Sequence, residues 1–221
     1  MQSSQSENRI MLRGRLEGPP RTSHINHGVL YYVLPLAVRR LSGAEDHLNV
    51  IASAQRLEGL ELGMDDPLTV TGEVRTFNNR SGQGSRLVVS VFARTIEESG
   101  ELLEDENRLE LSGVICKPPT LRTTPLGRTI CDMILAVNRR YGRADYLPCI
   151  AWGSLAHQCG DMEVGDRLHL RGRLQSRVYT KNLGDTAEER TAFEVSVMNL
   201  LPEDGEVLLP EQEWENVYQN L

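Results

Sequence analysis

The chain has 221 residues, a length that allows two small domains and excludes a larger number. Its formal net charge is −7, and its longest apolar runs fall well short of the roughly 18 residues that a membrane-spanning helix requires. Because residues 1–8 also lack the pattern of a signal peptide, we expect a protein of the reducing cytoplasm with no membrane association.

One sequence pattern occurs twice in the chain, about a hundred residues apart. The segment Asn8–Gly14, followed by a Pro-Pro pair, returns as Asn107–Gly113, which is again followed by a Pro-Pro pair. A period this long exceeds the roughly 20 to 50 residues of a solenoid repeat. We therefore predict two duplicated domains, over residues 7–96 and 107–202.

Each copy has the alternation of polar and apolar residues that predicts short β-strands. After the third predicted strand, the segments 54–62 and 154–159 lack β-branched residues and lead to a glycine, which predicts a short helix in each copy. Three strands, a helix and two more strands is the order of the five-stranded Greek-key barrel of the oligonucleotide/oligosaccharide-binding (OB) fold. We predict an all-β chain of two tandem OB barrels, each with one short helix.

Acidic residues are concentrated outside the two copies. Segments 97–106 and 203–221 each contain six acidic residues and no basic one, whereas residues 7–96 have 11 basic against 9 acidic and residues 107–202 have 13 against 10. Acidic runs of this kind are typical of solvated connectors. We predict an N-terminal tail over residues 1–6, an acidic linker over 97–106 and an acidic C-terminal tail over 203–221. The net charge therefore does not exclude a polyanionic ligand.

The fourth predicted strand of the second copy has an apolar face and a basic face. Leucines and Gly172 occupy one parity, while the opposite parity carries Arg171, Arg173, Arg177 and Tyr179 and no acidic residue. A solvated face is the alternative, but it would use lysine and glutamate equally well, whereas arginine suits phosphate contact. Basic surfaces with interleaved aromatic residues hold single-stranded nucleic acid without reading its bases.

The third predicted strand of the second copy adds aromatic residues. Tyr146 and Trp152 share one parity, and the opposite parity already supplies an apolar core set, so we expect both rings to face outward. The segment Arg139–Arg143 just before this strand adds three arginines and Tyr141.

These segments, Ile134–Tyr141, Asp145–Gly153 and Leu170–Tyr179, resemble the core of bacterial single-stranded DNA-binding proteins. The resemblance covers residues 107–202 well and residues 8–96 only faintly. In that family, four aromatic positions stack on bases. The residues that match them, together with the arginines that we predict to contact phosphates, are Tyr141, Tyr146, Trp152, Tyr179, Arg139, Arg140, Arg171, Arg173 and Arg177.

The resemblance implies sequence-independent binding and protection of single-stranded DNA in replication, recombination and repair. Because the family assembles four barrels, a chain with two is expected to form a homodimer. Family members also recruit replication and repair enzymes through an acidic C-terminal tip. Here the chain ends Gln-Asn-Leu, and packing of Trp214, Val217, Tyr218 and Leu221 as one helical face is an equal alternative.

The first copy departs from the family pattern. Transferred through the repeat, the four aromatic positions become Ser42, His47, Ser53 and Asn79, and we place nearby Phe77 on the other face of its strand. Five arginines remain that are compatible with phosphate contact, and the alternative is that this copy serves mainly in assembly. They are Arg39, Arg40, Arg75, Arg80 and Arg86.

Other chemistries find little support in the sequence. The four cysteines, Cys116, Cys131, Cys149 and Cys159, have no metal-ligand spacing, so we expect free thiols and no zinc site. Phosphate-binding, nucleophile-elbow and metalloprotease motifs are absent, and we expect a protein that is not an enzyme and has no cofactor. Two alternatives stay open: a protein-interaction or assembly module that has lost DNA binding, and an accessory domain for tRNA or carbohydrate.

Overall fold

The computed structural model describes residues 8–79, 87–100, 103–139, 142–182 and 187–202, without the side chains of residues 181 and 182. Within these ranges the chain forms twelve strands and one α-helix. The first half contains β1 (Asn8–Leu16), β2 (Arg21–Asn26), β3 (Val29–Arg39), β4 (Glu45–Ser53), β5 (Pro67–Asn78) and β6 (Leu87–Glu98). The second half contains β7 (Glu106–Ile115), β8 (Thr120–Thr123), β9 (Thr129–Asn138), β10 (Ala144–Trp152), α1 (Ser154–Gly160), β11 (Arg167–Asn182) and β12 (Ala187–Leu201).

Each half closes into a five-stranded barrel. In the first half, β1 pairs with both β3 and β5, and β4 closes the ring by pairing in parallel with β6. In the second half, β7 pairs with β9 and β11, and β10 pairs in parallel with β12. The short strands β2 and β8 add a hairpin to β3 and β9. The predicted fold of two tandem OB barrels is confirmed.

Alternating leucine and valine side chains fill each barrel, as the period-2 pattern predicts. Leu12, Leu36 and Val70 are buried in the first half, and Leu111, Leu135 and Leu170 in the second. A repeated glycine lies at a bulge in each barrel, because the pairing register shifts immediately before Gly72 in β5 and Gly172 in β11. A Cβ atom on Gly172 would lie 2.2 Å from the Ser196 carbonyl oxygen, so only glycine fits at this bulge.

The two predicted helices differ in length. In the second half, α1 covers Ser154–Gly160 and agrees with the prediction. In the first half, only a 3₁₀ turn over Ala54–Arg56 forms where the sequence predicted a helix over 54–62. Gly59 adopts a φ of +82°, a left-handed conformation that ends helical geometry, and this explains the difference.

The two barrels are joined edge to edge. Strands β1 and β7 pair antiparallel, from Asn8 opposite Leu111 to Arg13 opposite Glu106, so one sheet continues through both halves. Part of the predicted linker also contacts the first barrel, since the Arg39 amide donates to the Asp105 carboxylate at 2.6 Å. Glu106 begins β7 and pairs with Arg13 at 3.4 Å, so the segment is half-buried at Asp105 and Glu106, whereas Leu103 and Glu104 are exposed.

Candidate nucleic-acid interface

One outward surface of the second barrel carries the residues predicted from its third and fourth strands. A cross-strand row runs from Arg173 in β11 through Ser196 in β12 to Ile150 in β10 and Asp132 in β9. The next row, from Leu174 through Val195 and Cys149 to Met133, is buried in the core. Residues with the parity of Arg173 and Ile150 therefore face away from the barrel interior and share one surface, which we call the β10–β11 face. In its central row, Ile150 and Ser196 are themselves buried.

Two of the predicted aromatic residues lie on this face with open rings. Tyr146 is 53% exposed and Trp152 is 37% exposed, while the intervening Leu147 and Ala151 are fully buried. The parity prediction therefore holds for Tyr146 and Trp152, whereas Ile150, on the same parity, is buried. Exposed rings on a strand are the groups that stack on unpaired bases.

The aromatic residue on β11 lies in a hairpin that extends beyond the barrel. Tyr179 pairs across the hairpin with Arg190 in β12, and the Arg177 guanidinium lies 5.8 Å from the Tyr179 ring centroid. The Arg177 side chain is 59% exposed, so its charge is accessible to a phosphate. This contact holds a ring and a cation together at the hairpin.

Neighbouring strands bring carboxylates to the β10–β11 face. The sequence of β11 by itself does not indicate them. Glu110 of β7 lies opposite Arg171 and accepts a hydrogen bond from it at 2.9 Å. Glu194 of β12 lies 4.0 Å from the Arg177 guanidinium. The prediction of a face without acid is therefore wrong for the assembled sheet, because Glu110, Glu194 and Asp132 come from strands other than β11.

Arg139 has a structural environment at the junction of the barrels. Its guanidinium donates to the carboxylate of Asp145, which is fully buried, and to the carbonyl oxygen of Thr76 in the first barrel at 2.9 Å. Arg75 of the first barrel donates to the same carboxylate at 3.0 Å. Burial lowers the pKa of the Arg75 guanidinium, although the hydrogen bond to Asp145 acts in the opposite direction.

The remaining predicted site residues, Arg140 and Tyr141, lie outside the described residues. The other described members of the set are Tyr146, Trp152, Tyr179, Arg139, Arg171, Arg173 and Arg177.

Two arginines of the first barrel, Arg40 and Arg75, are bonded to buried aspartates at the junction of the barrels. Arg40 donates to the buried carboxylate of Asp46, and the same carboxylate accepts the backbone amide of Ser176 from the second barrel at 2.8 Å. The Asp145 cluster is the counterpart of this one, so equivalent aspartates tie each barrel to the other. Arg80 and Arg86 lie outside the described residues.

Sequence reasoning missed or misplaced two exposed residues near this surface. Arg122 of β8 lies opposite Ile130 in β9, which in turn lies opposite Trp152, so Arg122 occupies the same cross-strand row as Trp152. Its side chain is 50% exposed and is paired with Asp132. Phe77 was placed on the wrong face. It is 47% exposed and shares the outward parity of Arg75. Residues two apart along a strand face the same side, so Phe77 has the same parity as the transferred position Asn79.

The cysteines are free thiols in the described structure. Burial raises the pKa of Cys159 to about 11 and also raises that of Cys149, so neither thiol ionises readily near neutral pH. Among the described residues, no group of three or more potential ligands could hold a metal ion, and no helix has the length and apolar character needed to cross a membrane.

Comparison with known proteins identifies the family. The single-strand binding protein family matches residues 106–201. Single-stranded DNA-binding protein 2 of Listeria monocytogenes is 32% identical over 121 residues, which cover 52% of this chain and 74% of the relative. Single-stranded DNA-binding protein A of Bacillus subtilis is 32% identical over 106 residues, which cover 45% of this chain and 62% of the relative. The chain belongs to the single-strand binding protein family.

A solved structure matches both halves of the chain. The crystal structure of wild-type single-stranded DNA binding protein from Thermus aquaticus covers 94% of this chain and 98% of its own, with a TM-score of 0.73 and 23% sequence identity. At that identity the likeness establishes the tandem-barrel fold and carries no residue-level assignment.

Proposed function

We propose that this protein binds single-stranded DNA without sequence preference and protects it during replication, recombination and repair. The observation that supports this most is the β10–β11 face, where the open rings of Tyr146 and Trp152 share a surface with the arginines of β11. Rings of this kind stack on any base, and guanidinium groups contact the phosphates between them. Tyr141 and Arg140 are proposed members of the same site, and Arg122 is a proposed additional phosphate contact.

Family membership and this surface together argue against the alternative that the chain is an assembly module without DNA binding. An enzyme would need a set of catalytic residues. The sequence has none of the catalytic motifs considered above, and binding of single-stranded DNA does not require one. We propose a non-enzymatic protein that acts in the cytoplasm, and we place recruitment of replication or repair proteins in the tail over residues 203–221.

Binding should weaken steeply as salt increases. Each phosphate neutralised on a single strand contributes about 0.7 to the slope of log affinity against log salt concentration, because counterions are released. Replacing the exposed Arg177 by Gln should make this decrease shallower, by about 0.7 in the slope. Arg56→Gln, in the 3₁₀ turn of the first barrel, should leave the slope unchanged. Titrations with oligo-dT at several salt concentrations measure both slopes. A flat plot for the unaltered protein would overturn the proposal.

We also propose that two chains assemble so that the particle contains four barrels. Within one chain, the pairing of β1 with β7 already joins two barrels edge to edge, and two such units would complete a set of four. Light scattering should give about twice the monomer mass of 24.8 kDa. A monomeric mass at micromolar concentration, or the mass of four chains, would contradict this arrangement.

A further inference from the structure

We propose that Phe77 of the first barrel is an additional base-stacking position, so that the path of single-stranded DNA continues from the β10–β11 face across the junction between the barrels. The inference rests on the proposed function and deepens it. It assigns a direct DNA contact to the half of the chain whose transferred aromatic positions are Ser42, His47, Ser53 and Asn79.

Phe77 is adjacent to the predicted site of the other barrel. It follows Thr76, whose hydroxyl oxygen accepts the backbone amide of Tyr146 at 3.0 Å. One hydrogen bond across the junction therefore joins Tyr146 to Thr76, the residue that precedes Phe77. Phe77 is 47% exposed and Tyr146 is 53% exposed. A DNA strand whose base stacks on Tyr146 would therefore have a second accessible ring at the barrel junction.

The Phe77 ring contacts one anchored cation. The Arg139 guanidinium lies 5.4 Å from the ring centroid, in the geometry of a cation–π contact. Arg139 is itself held by the buried Asp145 and by the Thr76 carbonyl oxygen. A ring that is held on one side by an anchored cation and is open elsewhere loses little freedom when a base stacks on it, which favours binding.

The chemistry of the Phe77 ring indicates the class of ligand that would stack on it. The stacking energy of an aromatic side chain is tolerant of base identity, and the Arg139 guanidinium beside the ring is already paired with the buried Asp145 carboxylate. The ligand class is therefore single-stranded nucleic acid bound without base reading. A purely structural cation–π contact would explain the position of Phe77 next to Arg139, and the experiment below separates that role from stacking.

The test compares Phe77→Ala with Met64→Ala in the full chain. Met64 is also exposed and precedes the opposite end of β5, so its loss removes a surface apolar group without affecting the junction. Phe77→Ala should weaken binding of a long oligo-dT by about fivefold to a hundredfold, the range for one lost stacking contact. Met64→Ala should bind as the unaltered protein does, and the melting temperatures of both variants should report intact folding.

A second variant reports stacking directly. Phe77→Trp, in a background with Trp152→Phe and Trp214→Phe, places a single tryptophan at position 77. Its fluorescence should be quenched when oligo-dT binds. Unquenched fluorescence in a variant that binds oligo-dT would overturn the inference, as would an unchanged affinity of Phe77→Ala, and both would leave the proposed function standing. Failure of the unaltered protein to bind oligo-dT would instead refute the proposed function.

Discussion

Replacing Asp145 by Ala should lower the free energy of unfolding by about 3–5 kcal/mol, the range for breaking a buried ion pair by removing one partner. The Asp145 carboxylate is fully buried and accepts hydrogen bonds from Arg139, from Arg75 and from the backbone amide of Thr76. Its removal leaves the partly buried Arg139 guanidinium without its carboxylate partner and leaves Arg75 with Glu73 alone. Because Arg75 and Thr76 belong to the other barrel, the loss should also weaken the junction.

Chemical denaturation followed by circular dichroism measures this effect. Asp132→Ala is the matched control, since Asp132 forms an ion pair with Arg122 in which both side chains are at least 40% exposed. Exposed pairs contribute about 0–1 kcal/mol, so the control should lose far less stability. Equal losses in the two variants would show that the Asp145 cluster does not hold the barrels together.

Replacing Trp152 by Ala should weaken binding of single-stranded DNA by about 1–3 kcal/mol, the contribution of one stacked aromatic side chain. Its neighbour Ala151 is fully buried, whereas Trp152 is on the outward parity with part of its ring open to solvent. The fold should therefore tolerate the change.

Fluorescence anisotropy of a labelled oligo-dT measures the affinity without relying on the tryptophan signal. Trp152→Phe should keep most of the affinity because it keeps an aromatic ring, and Val164→Ala, an exposed apolar change between α1 and β11, should keep all of it. If folded Trp152→Ala bound as tightly as the unaltered protein, Trp152 would have no part in the site.

Features governed by local periodicity could be predicted from the sequence. In β10 and β11, the alternation of apolar and polar residues correctly separates buried Leu147 and Leu170 from exposed Tyr146 and Arg177. The repeat gave equivalent positions in the two barrels, and the glycine pair Gly72 and Gly172 lies at equivalent bulges. Parity within one strand is a short-range property, so it needs no knowledge of the neighbouring strands.

Features that depend on pairing between distant segments could not be predicted in this way. The contacts of Arg171 with Glu110 and of Arg75 with Asp145 join residues 61 and 70 positions apart, and no local pattern indicates them. For the same reason, the sequence pattern that predicts phosphate contact by Arg139 does not indicate its ion pair with the buried Asp145. The 3₁₀ turn in the first barrel was missed because Gly59, inside the predicted helix, adopts a left-handed conformation.

Competition between ligands tests the central claim most directly. The intact protein is titrated with oligo-dT, and its intrinsic tryptophan fluorescence is followed, because Trp152 lies on the proposed surface. Duplex DNA, single-stranded RNA and a neutral oligosaccharide are then compared as competitors at one salt concentration. We expect oligo-dT to quench the fluorescence and single-stranded DNA of unrelated sequence to compete best. Equal or stronger competition by duplex DNA or by the oligosaccharide would contradict the assignment of the β10–β11 face to single-stranded DNA.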